Sequence, residues 1–316
     1  EELTRIKGPR FPGQSPLAFS LGRFDKKKSK IEEIKNYPEN TNIKTEYVFS
    51  NPSVLNGGSN AVTDGRNVSI KVFHTFMNMP ENDYTMRMDD PRVGYFLTET
   101  NDMTTTSTVN YRDLIHRWKL IKKDSNAELS EPVTPITWWI ENTTPLEWRE
   151  TIKEGVLAWN IAFEKAGFKN AMVVKVQPDD AEWDAGDVRY NVLRWTSSPN
   201  PPFGGYGPSF VNPRTGEILG ADIMLEFVHF TNRVFGDKLY DDASSNMSLE
   251  TQEELEFKKS IEHPNFMFCS AGHVLHENMQ LGNTILEVTN ASTTEMERMK
   301  KEGMKSLIMH EIGHTL

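Results

Sequence analysis

From Thr294 to His314 the chain keeps one helical period without a break. Thr294 and Glu297 read as a capping box, and Met296, Met299, Gly303, Leu307, His310 and His314 recur at steps of three and four residues. A stripe of this length predicts a long helix with one face against a core, and any fold must be built around it. That face runs directly into His310, Glu311, Ile312, Gly313, His314.

Two histidines four residues apart leave the same side of a helix, so both imidazoles can grip one metal ion. Glu311 lies between them in sequence, beside the metal rather than on it. Zinc lowers the pKa of a bound water toward neutrality, and Glu311 is placed to take that proton as a general base. The expected chemistry is hydrolysis of a peptide bond by a zinc-bound water. The competing reading is an amphipathic helix whose histidines only pack on a core; the intervening Glu argues against it. A catalytic zinc takes three protein ligands, and no third one is evident upstream, so it is expected beyond Leu316 and the chain as written is expected to be inactive.

With 316 residues, 37 % hydrophobic and 25 % charged, the composition is that of a soluble globular protein with room for two domains. A net charge of -10 argues against nucleic acid, which calls for clustered Lys and Arg. No apolar stretch is long enough to span a membrane, and the N-terminus carries no apolar signal region. Cys269 is the single cysteine, which excludes an internal disulfide.

Residues 1–44, punctuated by Pro9, Pro12, Pro16 and Pro38, read as an extended arm. Residues 45–130 form a β-rich accessory domain, with strands expected at 45–50, 68–76, 95–100 and 116–122. The polar, proline-bearing stretch 123–135 marks the boundary. Residues 131–316 hold a strand at 136–140, then a helix with Thr144 as cap, Pro145 at its first position and Gly167 as its stop. Ile152, Val156, Trp159 and Phe163 form that helix's core stripe. Strands follow at 171–177, 188–195, 206–211 and 217–225, and 226–290 reads as a long insertion. The fold class is α+β: a β-rich N-terminal domain, then a zincin-like mixed sheet with long helices, truncated after the active-site helix. That analogy rests on element order.

Six stretches carry a family resemblance: DPRVGYF (90–96), RWKLIKKD (117–124), PLEWRETIKEGVLAWNIAFEKAGFKNA (145–171), DVRYNVLRW (187–195), YGPSFVNPRTGEILGADI (206–223) and HEIGHTL (310–316). Together they resemble bacterial zinc-dependent metallopeptidases that place a β-rich domain of unknown function ahead of a metzincin-like catalytic domain. The resemblance implies Zn2+ held by His310 and His314, a catalytic Glu311, a third His just past Leu316, a peptide or protein substrate, and export to the periplasm, cell surface or exterior. It further implies an antiparallel edge strand that pairs with substrate backbone, a place Tyr206, Gly207, Pro208, Ser209, Phe210 and Val211 would fill. The methionine turn and Gly-x-x-His of that family do not occur in the sequence. The alternative is an inert pseudo-peptidase acting as a surface protein-binding module.

Weaker signals have plainer readings. Cys269, His273, His276 and Glu277 have spacings a second metal would accept, but ordinary packing explains them better. Asp90, a candidate latency ligand, reads better as a turn with a buried ion pair to Arg92. The tryptophans between 138 and 195 read as core rather than as a carbohydrate platform, and no Gly-x-Ser-x-Gly supports a serine hydrolase.

Overall fold

The computed structural model describes residues 21–54, 62, 64–81, 83–90, 92–197, 205–226 and, apart from 280, 283 and 287, 278–316. The chain divides into two compact units, Glu1–Pro80 and Glu81–Leu316. The division does not fall at 123–135. There Lys122 bridges Pro132, Ser130 donates its N–H to the carbonyl of Gly167, and Lys169 donates back to Ser130, so the polar stretch is a turn stitched into the second unit.

The first unit is one antiparallel sheet of β1 (Arg23–Phe24), β2 (Lys30–Asn36), β3 (Asn40–Ser50) and β4 (Asn67–Met77), with β3 central. Residues 23–44 therefore belong to the sheet rather than to an arm; residues 1–20 lie outside the described residues. Period-2 pairing puts Ile31, Ile43, Tyr47, His74 and Phe76 on one face, where they line an open groove. On the other face Glu32 reaches both Lys44 and Lys71.

The second unit begins with short strands, β5 (Leu97–Thr98), β6 (Leu114–Ile115) and β7 (Arg117–Trp118), and then β8 (Ile136–Ile140). Helices α1 (Leu146–Leu157) and α2 (Asn160–Lys165) follow, then β9 (Met172–Val176), β10 (Asn191–Thr196), β11 (Gly205–Tyr206), β12 (Ser209–Val211), β13 (Glu217–Ala221), β14 (Ile223–Glu226) and α3 (Thr293–Gly313). The main sheet runs β11-β14-β10-β8-β9. Its strands β14, β10, β8 and β9 are mutually parallel and the edge strand β11 is antiparallel. A second sheet, β12-β13-β7, has β7 parallel to β13. The α+β class and the mixed sheet are present; the insertion 226–290 lies largely outside the described residues.

Alternation along β8 sends Ile136, Trp138 and Ile140 inward, where they meet Ile152 and Val156 of α1 and Met304, Leu307, Ile308 and Ile312 of α3. The helices approach closely because α1 carries Gly155: a Cβ there would stand 2.9 Å from Ile308 Cβ. Asn160 locks α2 to β9, accepting from the N–H of Met172 and donating to its carbonyl.

Helix boundaries differ from expectation for local reasons. Thr144 is buried and caps nothing; Pro145 is the N-cap residue, without a side-chain bond, and the Thr144 carbonyl accepts from Arg149 Nε. The expected single helix breaks at Ala158–Trp159, where the Trp159 indole turns to donate to the carbonyl of Met309 on α3. Gly167 ends the second piece at φ 87°, a left-handed stop that suits glycine.

Between β13 and β14, half-buried Asp222 accepts from the N–H of Val192 at 3.0 Å. Burial pushes its carboxyl up to about 7, against the opposing pull of that N–H and of Arg194. Because the folded pKa lies above the unfolded one, the folded state keeps a proton that the unfolded chain releases. Stability is then greatest below about pH 4 as far as this group goes, and falls as pH rises to about 7. Asp222→Asn keeps an acceptor and removes the titration. Relative to the parent it should gain on the order of 3 kcal/mol between pH 5 and pH 8 in denaturant unfolding, and equal differences at both pH values would refute the assignment.

Candidate active site

Helix α3 opens on a capping box two residues earlier than expected. Ser292 Oγ accepts from the N–H of Glu295, and the Glu295 carboxylate accepts from the N–H of Ser292. Its deepest line is Met304, Ile308 and Ile312, all fully buried. The stripe expected through Met299, Gly303, Leu307, His310 and His314 lies beside that line, so both histidines are half-buried at the margin of the core. A margin is where a ligand set must sit to meet both protein and solvent.

There the two imidazoles converge. His310 Nε2 and His314 Nε2 are 3.0 Å apart, with the rings perpendicular and their centroids 4.6 Å apart. Two nitrogens bonded to one tetrahedral zinc at about 2.0–2.1 Å would stand about 3.3 Å apart, so the pair fits a shared metal with a small adjustment. Burial holds both imidazoles below the usual histidine range, with the His310 charge adding to the effect on His314. Neutral imidazole is the form that ligates a metal.

Glu311, 5 % exposed, lies beneath β11. A Cβ on Gly205 would stand 2.7 Å from the Glu311 carboxyl carbon and Oε1, and one on Gly207 would stand 3.0 Å from the Glu311 carbonyl oxygen. Only glycine lets this strand pass so close. Burial pushes the Glu311 carboxyl up to about 7. Gly205→Ala must displace either the strand or the carboxylate.

Three aromatic residues surround the histidine turn. The Trp159 indole donates to the carbonyl of Met309 at 2.9 Å, the Trp118 indole donates to the carbonyl of Thr315 at 2.6 Å, and Phe96 packs on His314 with ring centroids 5.3 Å apart. Sequence reasoning passed over Phe96, Trp118 and Gly205, which no spacing connects to residues 310–316.

The segment 206–211, expected as one edge strand, is two. Tyr206 ends β11 at the margin of the main sheet, Gly207 and Pro208 turn the chain, and Ser209, Phe210 and Val211 form β12, which pairs with β13 in the other sheet. Pro208, with no N–H to give a ladder, marks the break. Cys269, His273, His276 and Glu277 lie outside the described residues. Among the described residues no group of three or more His, Cys, Asp or Glu converges, so none supplies a third ligand. Asp90 does form a turn and an ion pair with Arg92, at 2.5 Å, but the pair is exposed rather than buried. Trp138, Trp148, Trp159 and Trp195 belong to the core or pack on it, whereas Trp139 and Trp183 cluster with Tyr190.

A family described only as a domain of unknown function (DUF5117) matches residues 8–123. The matched stretch crosses the division at Pro80, so it takes in the first unit's sheet and the opening strands of the second unit. No curated protein and no solved structure gives a significant match. No helix among the described residues is long and apolar enough to cross a membrane.

Proposed function

We propose that this chain carries the active-site helix of a zinc-dependent metalloendopeptidase with a zincin-like catalytic domain. The observation that carries the reading is the convergence of His310 and His314 Nε2 to 3.0 Å, one helical turn across a buried Glu311. His310 and His314 would hold the metal, and the third ligand is assigned to residues after Leu316, as the family resemblance implies. Bound there, zinc would supply Lewis acidity to a peptide carbonyl and to water.

The remaining work falls to this chain's own residues. A carboxylate oxygen of Glu311 takes the proton from the attacking water and returns it to the departing amine nitrogen. Gly205 and Gly207 let β11 cross Glu311 closely, fixing the carboxylate and excluding water from one side. The substrate chain would run past β11. Export rests on the same family resemblance.

The test is a mixed peptide library incubated with the full-length protein, including the natural continuation after Leu316. Cleavage that stops with a chelator and returns with zinc is the expected result. A folded, zinc-loaded protein that cleaves nothing would move the assignment to a binding module built on a peptidase scaffold.

A further inference from the structure

We infer that the last part of the DUF5117-matched stretch, residues 81–123, is a positioning element of the histidine site, acting through Phe96 and Trp118. The inference rests on the reading of His310 and His314 as metal ligands.

Residues 81–123 fall in the same compact unit as α3. They are tied into it by backbone pairing: Arg117 and Trp118 run parallel to Glu217 and Ile218 of β13, and the N–H of Arg117 donates to the carbonyl of Gly216. That pairing fixes where the Trp118 side chain leaves the strand. Its indole N–H then donates to the carbonyl of Thr315 at 2.6 Å, the residue after the second histidine. Phe96 is held by the same segment, because the N–H of His116 donates to the Phe96 carbonyl, and its ring lies on His314.

His314 and Thr315 close the last turn of α3, the N–H of His314 donating to the carbonyl of His310 and the N–H of Thr315 to that of Ile312. Trp118 and Phe96 add contacts to that turn from outside the helix. The indole bond and the phenyl ring hold backbone and imidazole respectively.

The test is zinc affinity of the full-length protein, measured by competition with a chromophoric chelator, together with thermal melting. The variants are Trp118→Phe, which keeps a ring and removes the donor, Phe96→Leu, which keeps apolar bulk and removes the ring contact, and His314→Ala as reference. We expect Trp118→Phe and Phe96→Leu each to weaken zinc binding by about 10–100-fold, as for groups that orient metal ligands, with melting points within about 4 °C of the parent. Unchanged affinity in both would overturn the inference and leave the metal site standing. A parent that binds zinc no better than His314→Ala would overturn both. Melting points that collapse in both variants would make the pair general packing residues and overturn the positioning role; if only Trp118→Phe collapses, Phe96→Leu decides by the same affinity criterion.

Discussion

Replacing Glu311 by Gln is expected to lower kcat of the full-length protein by about 10²–10⁴-fold while zinc stays bound. The amide is nearly isosteric with the carboxylate, so the close crossing of β11 at Gly205 is preserved and packing is unchanged. What is lost is the oxygen that accepts a proton. Because Glu311 is not one of the converging nitrogens, metal content and affinity should match the parent, whereas His310→Ala and His314→Ala should lose metal and activity together. Steady-state kinetics beside metal analysis separates the two. A Glu311→Gln enzyme with near-parental kcat would remove Glu311 from the chemistry, and one that lost zinc would make it a structural residue of the site.

The largest stability effect is expected at Trp138. Its side chain is 0 % exposed at the centre of the core shared by β8, α1 and α3, so Trp138→Ala should cost about 3–5 kcal/mol through lost burial and the cavity left behind. The cost should spread to function, since the cavity would open beside the helix that carries the histidines. Trp138→Phe is the informative partner. The indole Nε1 is buried and finds no acceptor among the described residues, so the indole carries a desolvation cost that phenylalanine does not. Phe should therefore recover most of the loss, ending about 1–2 kcal/mol below the parent by denaturant unfolding. A Phe variant as unstable as Ala would mean that the indole N–H has a partner or that ring volume alone decides.

The strand Ile136–Ile140, the glycine stop at Gly167 and the long helix ending in the histidine motif were legible because each is written in local periodicity or in one residue's backbone preference. The capping residues were less so. Thr294 and Glu297 have the same spacing as Ser292 and Glu295, and only the actual start of the helix separates them. The arm over 1–44 misread residues 23–44, where Pro38 sits in the turn between β2 and β3 and punctuates a hairpin rather than a linker. Likewise Lys123–Pro135 has the composition of a linker, yet its turn is fastened to Gly167 and Lys169 by bonds that no local pattern announces.

At the site the division is the same. His310, Glu311 and His314 are placed by helical geometry, so the convergence of the two imidazoles could be read from spacing alone. Gly205, Phe96 and Trp118 reach the motif from distant parts of the chain, the last across 197 residues, and their contribution comes from tertiary contact.

The most direct test of the metal site is an anomalous-difference map at the zinc edge from crystals of the full-length protein grown with zinc. The account predicts one peak bonded at about 2.0–2.1 Å to Nε2 of both His310 and His314, with the Glu311 carboxylate beside it and not bonded. Zinc-grown crystals with no peak between those two nitrogens, or with the peak on other side chains, would contradict it.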